Sequence, residues 1–473
     1  MKTMRSLLMI LLVAVASLCG VTSCISDDFT TSPSDLLTFS RDTVTFDTVF
    51  TGLGTPTARL IVHNRAKKAV NISSIRFAAS DGTFSMNVDG VSGKEFSDVE
   101  IRGEDSIYVF IECYIPESQT SEPYLVSDRL QFVTNGVTQN VEVEAYGQNV
   151  TRLRGVTLDA DMTLTDDRPY VVFDSLKVAS GATLNILPGA RLLFHDKAHL
   201  IVEGRLEAVG APGKMIQMRG DRLDDVLPDV EYDIMSGQWE GVSIRPGSFG
   251  NRMEYMDMRS TRRGLVVDSC GNLSERKLLL VNSWLHNSQN HVMESAHAWV
   301  DAFGCCFSEA ADAVVSLKGG KHEFVQFTIA NNYLFSAIWQ PLLCLYHLLP
   351  GDEEGNASSP LMSATFSNGI IYGLAADINT TDLTGSDVFL RNVLLKSEGN
   401  DDANFLSCIW GADPLFYTER DKYYFNYHVR PDSPAIGAGD SSWLTPLCET
   451  DMDGLPRQSP PTVGAYVYTA PEE

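Results

Sequence analysis

The stretch that decides the fold is residues 181–204, which read GATLNILPGARLLFHDKAHLIVEG. Short runs of alternating apolar and polar residues are separated by turns, the first of them at Pro188-Gly189. Successive side chains of a β-strand point to opposite faces, so alternate residues share one side. The apolar residues that would face one interior are Leu184, Ile186, Leu192, Phe194, Leu200 and Val202. The stretch therefore predicts short strands stacked around a common core.

A related phrase returns further along the chain and indicates an internal repeat. Its copies are residues 281–285, 303–307, 327–331, 366–371 and 390–395. Measured between Asn282, Gly304, Thr328, Asn368 and Asn392, the spacings are 22, 24, 40 and 24 residues. Three spacings fit one coil per repeat, and the long one predicts an insertion at about 340–361, apolar over 342–349 and polar beyond. Because solenoid repeats use corner asparagines structurally, we expect Asn282, Asn368 and Asn392 to form side-chain ladders rather than to catalyse a reaction.

Over residues 155–430 this pattern resembles the right-handed parallel β-helix of the pectin-lyase-like superfamily, which implies about ten coils. Residues 430–440, 451–457 and 463–466 resemble the closing segment of many bacterial surface β-helix proteins. The resemblance implies a β-helix at 151–430 and a capping segment at 431–473. Asp451-x-Asp453-Gly454 suggests calcium, but an EF-hand loop needs glycine and a carboxylate where this chain has Pro456 and Thr462, so the cap is preferred.

The chain before the repeats also predicts β-structure. Six or seven short alternating segments follow one another in residues 37–150, and Asn135-Gly136 is a strong hairpin signal. This density of strands predicts a β-sandwich. The segments 58–64, 72–75, 84–86 and 141–147 resemble immunoglobulin-like domains of the ASPM/SPD-2/Hydin type, which implies a module for spacing or docking. The predicted fold class is all-β, an N-terminal β-sandwich followed by a right-handed parallel β-helix solenoid.

The first residues carry a targeting signal. Lys2 and Arg5 precede an apolar run at 7–18 that is too short to span a bilayer, and 21–24 (VTSC) resembles the lipobox of bacterial lipoproteins. The resemblance implies cleavage of a signal peptide at 1–23, lipid attachment at Cys24 and a tether at 24–36. Asp27-Asp28 resembles an export signal to the outer face of the Gram-negative outer membrane. The alternative is an ordinary secretory peptide with a chance cysteine.

The net charge indicates which binding partners are unfavourable, and the cysteine spacing indicates the role of the thiols. The chain has 36 Lys and Arg against 61 Asp and Glu, a net charge of −25, which makes nucleic acid an unfavourable partner. Besides Cys19 in the leader and Cys24, the cysteines lie among apolar neighbours at irregular spacing, so we expect small core residues and at most one disulfide. They are Cys113, Cys270, Cys305, Cys306, Cys344, Cys408 and Cys448. No metal or cofactor motif is present in the sequence.

Residues for chemistry are scattered. The acidic stretch comprises Asp221, Asp224, Asp225, Asp229, Glu231 and Asp233, and a solvated insertion is favoured there over a calcium site. Asp268, Asp301 and Asp312 are carboxylates near rung edges that alignment could bring together. His195 and His199 have no nucleophile or ligand partner in the sequence. The tryptophans that could stack on sugars, or pack in the core, are Trp239, Trp284, Trp299, Trp339 and Trp410. No catalytic, cofactor-binding or metal residue is assigned.

Three functions remain open at this stage. The leading hypothesis is a non-enzymatic, surface-exposed outer-membrane lipoprotein that binds a polysaccharide or an extracellular protein. The second is a polysaccharide lyase or glycoside hydrolase of the β-helix type, and the third is an adhesin or structural envelope protein. The insertion near Tyr346 and His347 is the favoured place for an added function. The fold alone does not decide between these functions. A charged, aromatic-lined groove would favour the first two, and a featureless surface would favour the third.

Overall fold

A computed structural model describes residues 28–470 except 56, 119, 121, 228–229, 271–272 and 347–360, and the side chains of 361 and 362 are also left out. The predicted leader and Cys24 lie outside the described residues. The chain divides into two compact units, Met1–Gln148 and Asn149–Glu473, which are taken separately below. Within the described ranges, no helix combines the length and the apolar character required to cross a bilayer.

The first unit is a β-sandwich. Its strands are β1 (Leu37–Phe39), β2 (Thr43–Phe50), β3 (Ala58–Asn64), β4 (Val70–Phe77), β5 (Phe84–Val88), β6 (Val91–Gly93), β7 (Glu95–Phe96), β8 (Val99–Ile101), β9 (Ser106–Cys113), β10 (Tyr124–Thr134) and β11 (Val137–Gln148). One sheet has the order β1-β3-β9-β5-β6 and the other β2-β11-β10-β4-β7, with β8 also paired to β4. All pairings are antiparallel except that between β2 and β11.

Alternation along the strands builds the sandwich core. Leu130 and Phe132 of β10 are buried, as are Val141 and Val143 of β11, while their neighbours face outward. The predicted hairpin at Asn135-Gly136 is confirmed. Both residues have positive φ, 51° and 77°, which a two-residue turn of this kind requires and which these two residue types tolerate.

The second unit is a stack of short parallel strands. They are β12 (Thr151–Leu158), β13 (Met162–Leu164), β14 (Tyr170–Val178), β15 (Thr183–Ile186), β16 (Arg191–Phe194), β17 (His199–Val202), β18 (Arg205–Val209), β19 (Ile216–Gly220), β22 (Gly241–Ile244), β23 (Asn251–Glu254), β24 (Met256–Thr261), β25 (Leu265–Val267), β26 (Leu278–Val281), β27 (Trp284–Ser288), β28 (Met293–Ala296), β29 (Trp299–Phe303), β30 (Cys306–Ala310), β31 (Val315–Lys318), β32 (Gly320–Val325), β33 (Thr328–Asn331), β34 (Leu343–Tyr346), β35 (Leu361–Ser367), β36 (Ile370–Gly373), β37 (Val388–Arg391), β38 (Leu394–Leu395) and β39 (Phe405–Leu406). A separate antiparallel hairpin consists of β20 (Asp225–Leu227) and β21 (Val230–Glu231). Short 3₁₀ turns lie at Tyr232–Ile234, Arg420–Lys422, Ser441–Trp443 and Pro446–Cys448.

The parallel strands form three faces of a β-helix. Sheet A contains β17, β22, β25, β28, β31 and β34; sheet B contains β16, β19, β24, β27, β30, β33, β36 and β38; sheet C contains β13, β15, β18, β23, β26, β29, β32, β35, β37 and β39. Sheets A and B merge at β14, which pairs with β16 through Tyr170–Val172 and with β17 through Ser175–Val178. The six apolar residues predicted to share one interior between 184 and 202 are all buried in one core, so the predicted fold class is confirmed.

One backbone position repeats at the corner between sheet C and sheet B. The residue directly after each of several sheet C strands has positive φ, between 42° and 68°. At this residue the chain turns from sheet C toward sheet B. These corner residues are Tyr255, Asn282, Gly304, Gln326, Asn368, Asn392 and Ser407. The register of the strands before them makes the repeated residue Gln326 and not Thr328, so the spacings from Asn282 are 22, 22, 42 and 24. Asparagine suits this corner because it tolerates the left-handed conformation.

The corner asparagines have structural contacts, but they do not form the ladder that was expected. Asn368 donates from Nδ2 to the Asp440 carbonyl and accepts from the Asp440 amide, both at 2.9 Å. Asn392 donates to the Ala438 carbonyl, and Asn282 donates to the Tyr255 hydroxyl at 3.0 Å. Two of the three therefore bind the C-terminal segment instead of one another.

The predicted insertion is placed differently by the structure. Leu342, Leu343 and Leu345 are buried in the core, and β34 completes a regular coil. The prediction of an apolar insertion from 340 was therefore wrong, because these leucines fill the interior of sheet A. The extra residues divide into a loop at 332–342 and the segment 347–360, of which His347 and the rest lie outside the described residues.

The chain that follows β39, called the C-terminal segment below, lies along the outside of the coils. Cys448 packs with Phe303 and Val325 of sheet C, whereas Tyr427 and Met452 pack over sheet B in a cluster with Cys306 and Ala330. Asp451 is fully buried and accepts hydrogen bonds from the amides of Asp453, Leu455 and Val467. Its carboxylate thus stabilises a turn, which agrees with the preference for a cap over a calcium loop.

The corner geometry gives a test of the fold. At Gly304 φ is +68° and an added Cβ would lie 2.0 Å from Oδ1 of Asn282, whereas at Gly385 φ is +78° with nothing within 4 Å. We expect Gly385→Ala to destabilise by about 1 kcal/mol, from backbone strain alone. Gly304→Ala adds a clash and should cost about 3 kcal/mol. Urea unfolding followed by tryptophan fluorescence measures both, and equal shifts would show that the corner has room for a side chain.

Candidate functional site

A cleft of about 380 Å³ lies on the outer face of sheet B. Its floor comes from β24, β27 and β30, because residues that alternate with the buried Met258, Leu285 and Phe307 must point outward. One wall is the loop between β19 and β22, another is the loop after β33, and a third is the C-terminal segment near 422–425. The lining residues are Val230, Glu231, Asp233, Ile234, Arg259, Trp284, His286, Asn287, Glu309, Tyr333, Leu334, Phe335, Lys422, Tyr423, Tyr424 and Phe425.

Parallel register determines which side chains meet on the floor. On the next coil Trp284 pairs with Asp257 and His286 pairs with Arg259, and on the coil after that Ser308 pairs with His286. Neighbouring strands in a sheet are roughly 4.8 Å apart, so these side chains lie within reach of one another. The floor is thus a ladder of unlike polar groups.

Ion pairs join the floor to the first wall. Arg259 contacts Asp257 on its own strand, and its Nε lies 2.7 Å from Oδ2 of Asp233 on the loop. Arg219, at the end of β19, lies 3.3 Å from Asp233 and 3.4 Å from Glu231. Because both arginines are largely buried, these carboxylates offset the cost of removing two cations from water.

His286 and Asp257 form a hydrogen-bonded pair beneath this network. Nε2 of His286 lies 3.1 Å from Oδ1 of Asp257. Burial lowers the pKa of His286, although Asp257 partly opposes the change. Burial would raise the pKa of Asp257, but Arg259 and the His286 hydrogen bond outweigh it and lower that pKa to about 2. At neutral pH the neutral imidazole of His286 therefore donates to the ionised carboxylate of Asp257. The Trp284 ring stacks on the His286 ring, with 3.9 Å between the ring centroids.

Glu309 is the most constrained residue of the cleft. It is 3% exposed and has φ of 53°, in the left-handed region that a glutamate rarely adopts. Its Oε1 accepts a hydrogen bond from the Tyr427 hydroxyl, while Oε2 is enclosed without a hydrogen-bond partner among the described residues. Burial raises the pKa of Glu309 to about 7, although the Ser308 and Tyr427 hydroxyls partly oppose the change.

A second column of corner residues holds the walls in place. Ser260, Asn287 and Glu309 have φ of 63°, 58° and 53° at the end of sheet B strands. Ser260 and Asn287 donate to the Asp233 carbonyl, at 2.5 and 2.8 Å, and Asn287 also donates to the Ile234 carbonyl. Glu309 bonds Tyr427 instead, so the same column fixes the first wall and the C-terminal wall.

Aromatic side chains surround the mouth. Phe335, Tyr423 and Tyr424 are 45%, 43% and 51% exposed although they line the cleft. Arg420 holds the segment that carries the two tyrosines, by hydrogen bonds to the Asn332 and Tyr333 carbonyls at 3.1 and 3.0 Å. The mouth therefore presents apolar ring faces beside a charged floor.

The acidic stretch predicted from the sequence is divided by the structure. Asp221 contacts His195 at 2.7 Å, and Asp224 pairs with Arg222 at 2.5 Å. Asp225 lies in the short hairpin, and Asp229 lies outside the described residues. Only Glu231 and Asp233 reach the cleft, where their partners are arginines. In the described part of the chain, no group of three or more His, Cys, Asp or Glu is arranged to hold a metal ion.

The other candidate carboxylates are not brought together. Asp268 pairs with Arg245 at 3.0 Å at the end of β25, and Asp312 lies 4.0 Å from His291 between β30 and β31. Asp301 is buried in β29 of sheet C, where it accepts from Trp299 Nε1. His199 shares a hydrogen bond of 2.9 Å with Ser243.

Some of the five tryptophans pack in the core, as one of the two sequence-based interpretations predicted, and others do not. Trp239 is fully buried, stacks on Phe194 at 4.0 Å and donates to the Arg259 carbonyl, so its predicted packing is confirmed. Trp410 packs against Phe405 and Trp299 bonds Asp301, whereas Trp339 is 86% exposed. Trp284 is the one of this set that lines the cleft.

All the cysteines that the structure describes are buried except Cys408, which confirms their assignment as small core residues. They are Cys113, Cys270, Cys305, Cys306, Cys344, Cys408 and Cys448. Burial raises the pKa of Cys305 to about 12, so this thiol stays protonated at neutral pH.

Sequence reasoning missed most of the cleft. Arg259 and His286 are 27 residues apart, and His286 and Ser308 are 22 apart, so rung spacing was a usable signal for the floor. Nothing comparable marks Tyr423 and Tyr424, since they reach the cleft only because the C-terminal segment packs back along sheet B.

Comparison with known proteins does not assign the chain to a family. No protein-family model matches it, and no curated protein matches it. A family 123 glycoside hydrolase from Clostridium perfringens, described in a study of glycolipid glycan hydrolysis, shows 8% identity and a TM-score of 0.17 over 24% of this chain and 26% of that chain. The alkylpurine DNA glycosylase AlkC of Pseudomonas fluorescens, bound to DNA containing an abasic site analog, shows 12% identity and a TM-score of 0.16 over 24% and 30%. The chain spans less than a third of either protein, and similarity at this level carries no argument about function.

Glu309 gives a test by pH. Its pKa is about 7 when folded against an ordinary 4.5, so the folded state holds the extra proton and stability falls as pH rises from about 4.5 through 7. At about 1.4 kcal/mol per pKa unit the loss is about 3 kcal/mol. Glu309→Gln cannot ionise, so its stability relative to wild type should rise by that amount between pH 4.5 and pH 8.

The measurement is urea unfolding at each pH, with Glu449→Gln, an exposed glutamate of the C-terminal segment, as the matched control. A difference between wild type and Glu309→Gln that does not change with pH would show that Glu309 titrates normally.

Proposed function

We propose that this protein is an outer-membrane, surface-exposed lipoprotein whose β-helix binds a glycan in the cleft on sheet B without cleaving it. The observation that carries the proposal is the combination of exposed aromatic rings at the mouth and a hydrogen-bonding floor. Concave sites with a few convergent polar groups are the usual ligand sites of proteins.

Sugars suit this combination for a physical reason. A pyranose ring has an apolar face of C–H groups that packs on an aromatic ring, and hydroxyl groups around its edge that donate and accept hydrogen bonds. Tyr423, Tyr424 and Phe335 offer ring faces at the mouth. Asn287, His286 and Asp233 offer polar groups further in.

Binding without cleavage is favoured by the position of Glu309. A hydrolase needs a protonated carboxyl placed against the glycosidic oxygen. Glu309 has the raised pKa for this task, but Tyr427 occupies one oxygen and the other is enclosed. The acid therefore has no free oxygen facing the cleft.

Hydrolysis is the second candidate, and one observation favours it. The pKa of Glu309 is about 7 and that of Asp257 is about 2, and carboxyls whose pKa values are driven apart are typical of acid and base pairs. For Glu309 to act, the segment that carries Tyr427 would have to move. A test for new reducing ends separates this candidate from simple binding.

The location rests on the sequence. The lipobox-like VTSC at 21–24 supports acylation of Cys24, and the acidic pair after it supports export to the outer face. The net charge of −25 suits a solvated surface protein. A lipid anchor would hold the β-helix at the surface with its cleft available to extracellular glycans.

Removing the mouth aromatics should weaken glycan binding. Aromatic contacts are each worth about 0.5 to 1.5 kcal/mol, so Tyr423→Ala with Tyr424→Ala should lower affinity roughly 10- to 100-fold. The measurement is glycan-array screening of purified residues 28–473, followed by calorimetry on the best ligand and analysis for new reducing or unsaturated ends.

Tyr114→Ala is the matched control, because Tyr114 is exposed in the other unit. Product formation would replace binding by hydrolysis or lyase activity. An intact affinity in the double variant would remove the cleft from consideration.

Cys24 gives a test of anchoring. In a Gram-negative host, wild-type protein should incorporate labelled palmitate and fractionate with the outer membrane, because acyl chains supply about 0.8 kcal/mol per buried CH₂. Cys24→Ser should lose the label and leave the membrane fraction. Retention of the variant in that fraction would mean that something other than the lipid holds the protein there.

A further inference from the structure

We propose that the cleft on sheet B selects an uncharged saccharide and disfavours acidic ones. This inference rests on the proposed glycan binding and adds the class of ligand. It follows from how the charged groups of the cleft are paired with one another.

The cation on the floor, Arg259, and the buried Arg219, which shares Asp233 with it, are already engaged. Arg259 lies between Asp257 and Asp233, and its Nε is 2.7 Å from Asp233. Arg219 lies within 3.4 Å of both Asp233 and Glu231 and also donates to the Arg222 carbonyl. A uronate or sulfate would have to displace one of these carboxylates, so neither guanidinium is free to receive it in the bidentate way that arginine favours.

The mouth has one more cation, and it too has an acidic neighbour. Nζ of Lys422 lies 2.5 Å from Oε2 of Glu419. This exposed pair is weak, but the glutamate cancels the field that would attract an anion from a distance.

The remaining titratable groups leave no surplus positive charge. Among the lining residues, the carboxylates Glu231 and Asp233 balance the cations Arg259 and Lys422, and beneath them Asp257 and Arg219 are paired in the same network. Burial keeps His286 neutral by lowering its pKa and keeps Glu309 largely protonated below about pH 7. An acidic sugar would therefore meet a lining without surplus positive charge, within a chain of net charge −25.

An uncharged saccharide meets no such cost. Its hydroxyls can donate to carboxylate oxygens and to Oδ1 of Asn287, whose Nδ2 is already bonded to the loop, without breaking an ion pair. Its ring faces can lie on Tyr423 and Tyr424. The cleft is thus suited to a ligand that brings hydrogen bonds and apolar faces but no charge.

The experiment compares oligosaccharides of matched length at low salt: neutral gluco-, manno- and xylo-oligosaccharides, acidic oligogalacturonates and cationic chitosan oligomers. We expect measurable binding of a neutral series and at least 10-fold weaker binding of the acidic one. Tighter binding of an acidic or a cationic series would overturn the inference and leave the proposed glycan binding intact. Absence of binding by every series would count against the proposed function itself.

Two variants test the cause. Glu231→Gln, whose carboxylate is largely exposed, and Asp233→Asn each remove a negative charge from beside Arg219. Each should improve oligogalacturonate binding several-fold, and Glu231→Gln remains informative if Asp233→Asn fails to fold. Glu449→Gln, at an exposed residue that does not line the cleft, should change nothing. No gain for acidic sugars in a folded Glu231→Gln protein would contradict the role of charge pairing.

Discussion

From β23 to β38, a connection of one or two residues, one of them in the left-handed conformation, joins each sheet C strand to the next sheet B strand, and the regular coils of the β-helix depend on this turn. It is the shortest way to bend the chain while keeping both strands in register with the coils before and after. Earlier coils turn this corner with longer connections, at residues 187–190 and 210–215. The two loops that line the cleft lie elsewhere: residues 221–240 and 332–342 both leave sheet B on its other side, toward sheet A. The cleft exists because these two loops leave from the same edge.

The second corner shows how a regular stack becomes a site. Ser260 and Asn287 use their side chains to bind the backbone of the loop that carries Asp233. On the next coil the same position is Glu309, which binds Tyr427 of the C-terminal segment. Serine, asparagine and glutamate, whose side chains differ in length, thus each bind a wall of the cleft from the same position in the coil. The strain of a glutamate with positive φ and the cost of enclosing its carboxyl are offset by fixing a wall of the cleft.

The sequence carries the coils more clearly than the cleft. Alternation in residues 184–202 predicted the shared interior, and corner asparagines such as Asn282 marked the repeat, because both follow from local backbone geometry. The choice of Thr328 for the corner was wrong because glutamine, which occupies the corner at Gln326, is not a residue type typical of turns. Leu342 to Leu345 resembled an insertion because a buried sheet A strand and an apolar loop have the same composition. Arg219 and Asp233 meet only through loop docking, and Tyr424 only through the C-terminal segment. Contacts of that kind depend on tertiary packing, which no local pattern encodes.

Charge pairing in the cleft also explains why an acidic protein can bury two arginines there. Each guanidinium needs carboxylates to replace water, and Asp233 serves both, so departure of the loop would leave Arg219 without a carboxylate and Arg259 with Asp257 alone. The loop is thereby tied to the floor at its side chains and, through Asn287, at its backbone. On the opposite side, Arg420 ties the tyrosine-bearing segment to the carbonyls of residues 332 and 333. A cleft held on both sides in this way is preorganised, so a ligand loses little free energy in ordering it. Such rigidity is more consistent with the proposed glycan binding than with a reaction that requires Tyr427 to leave Glu309.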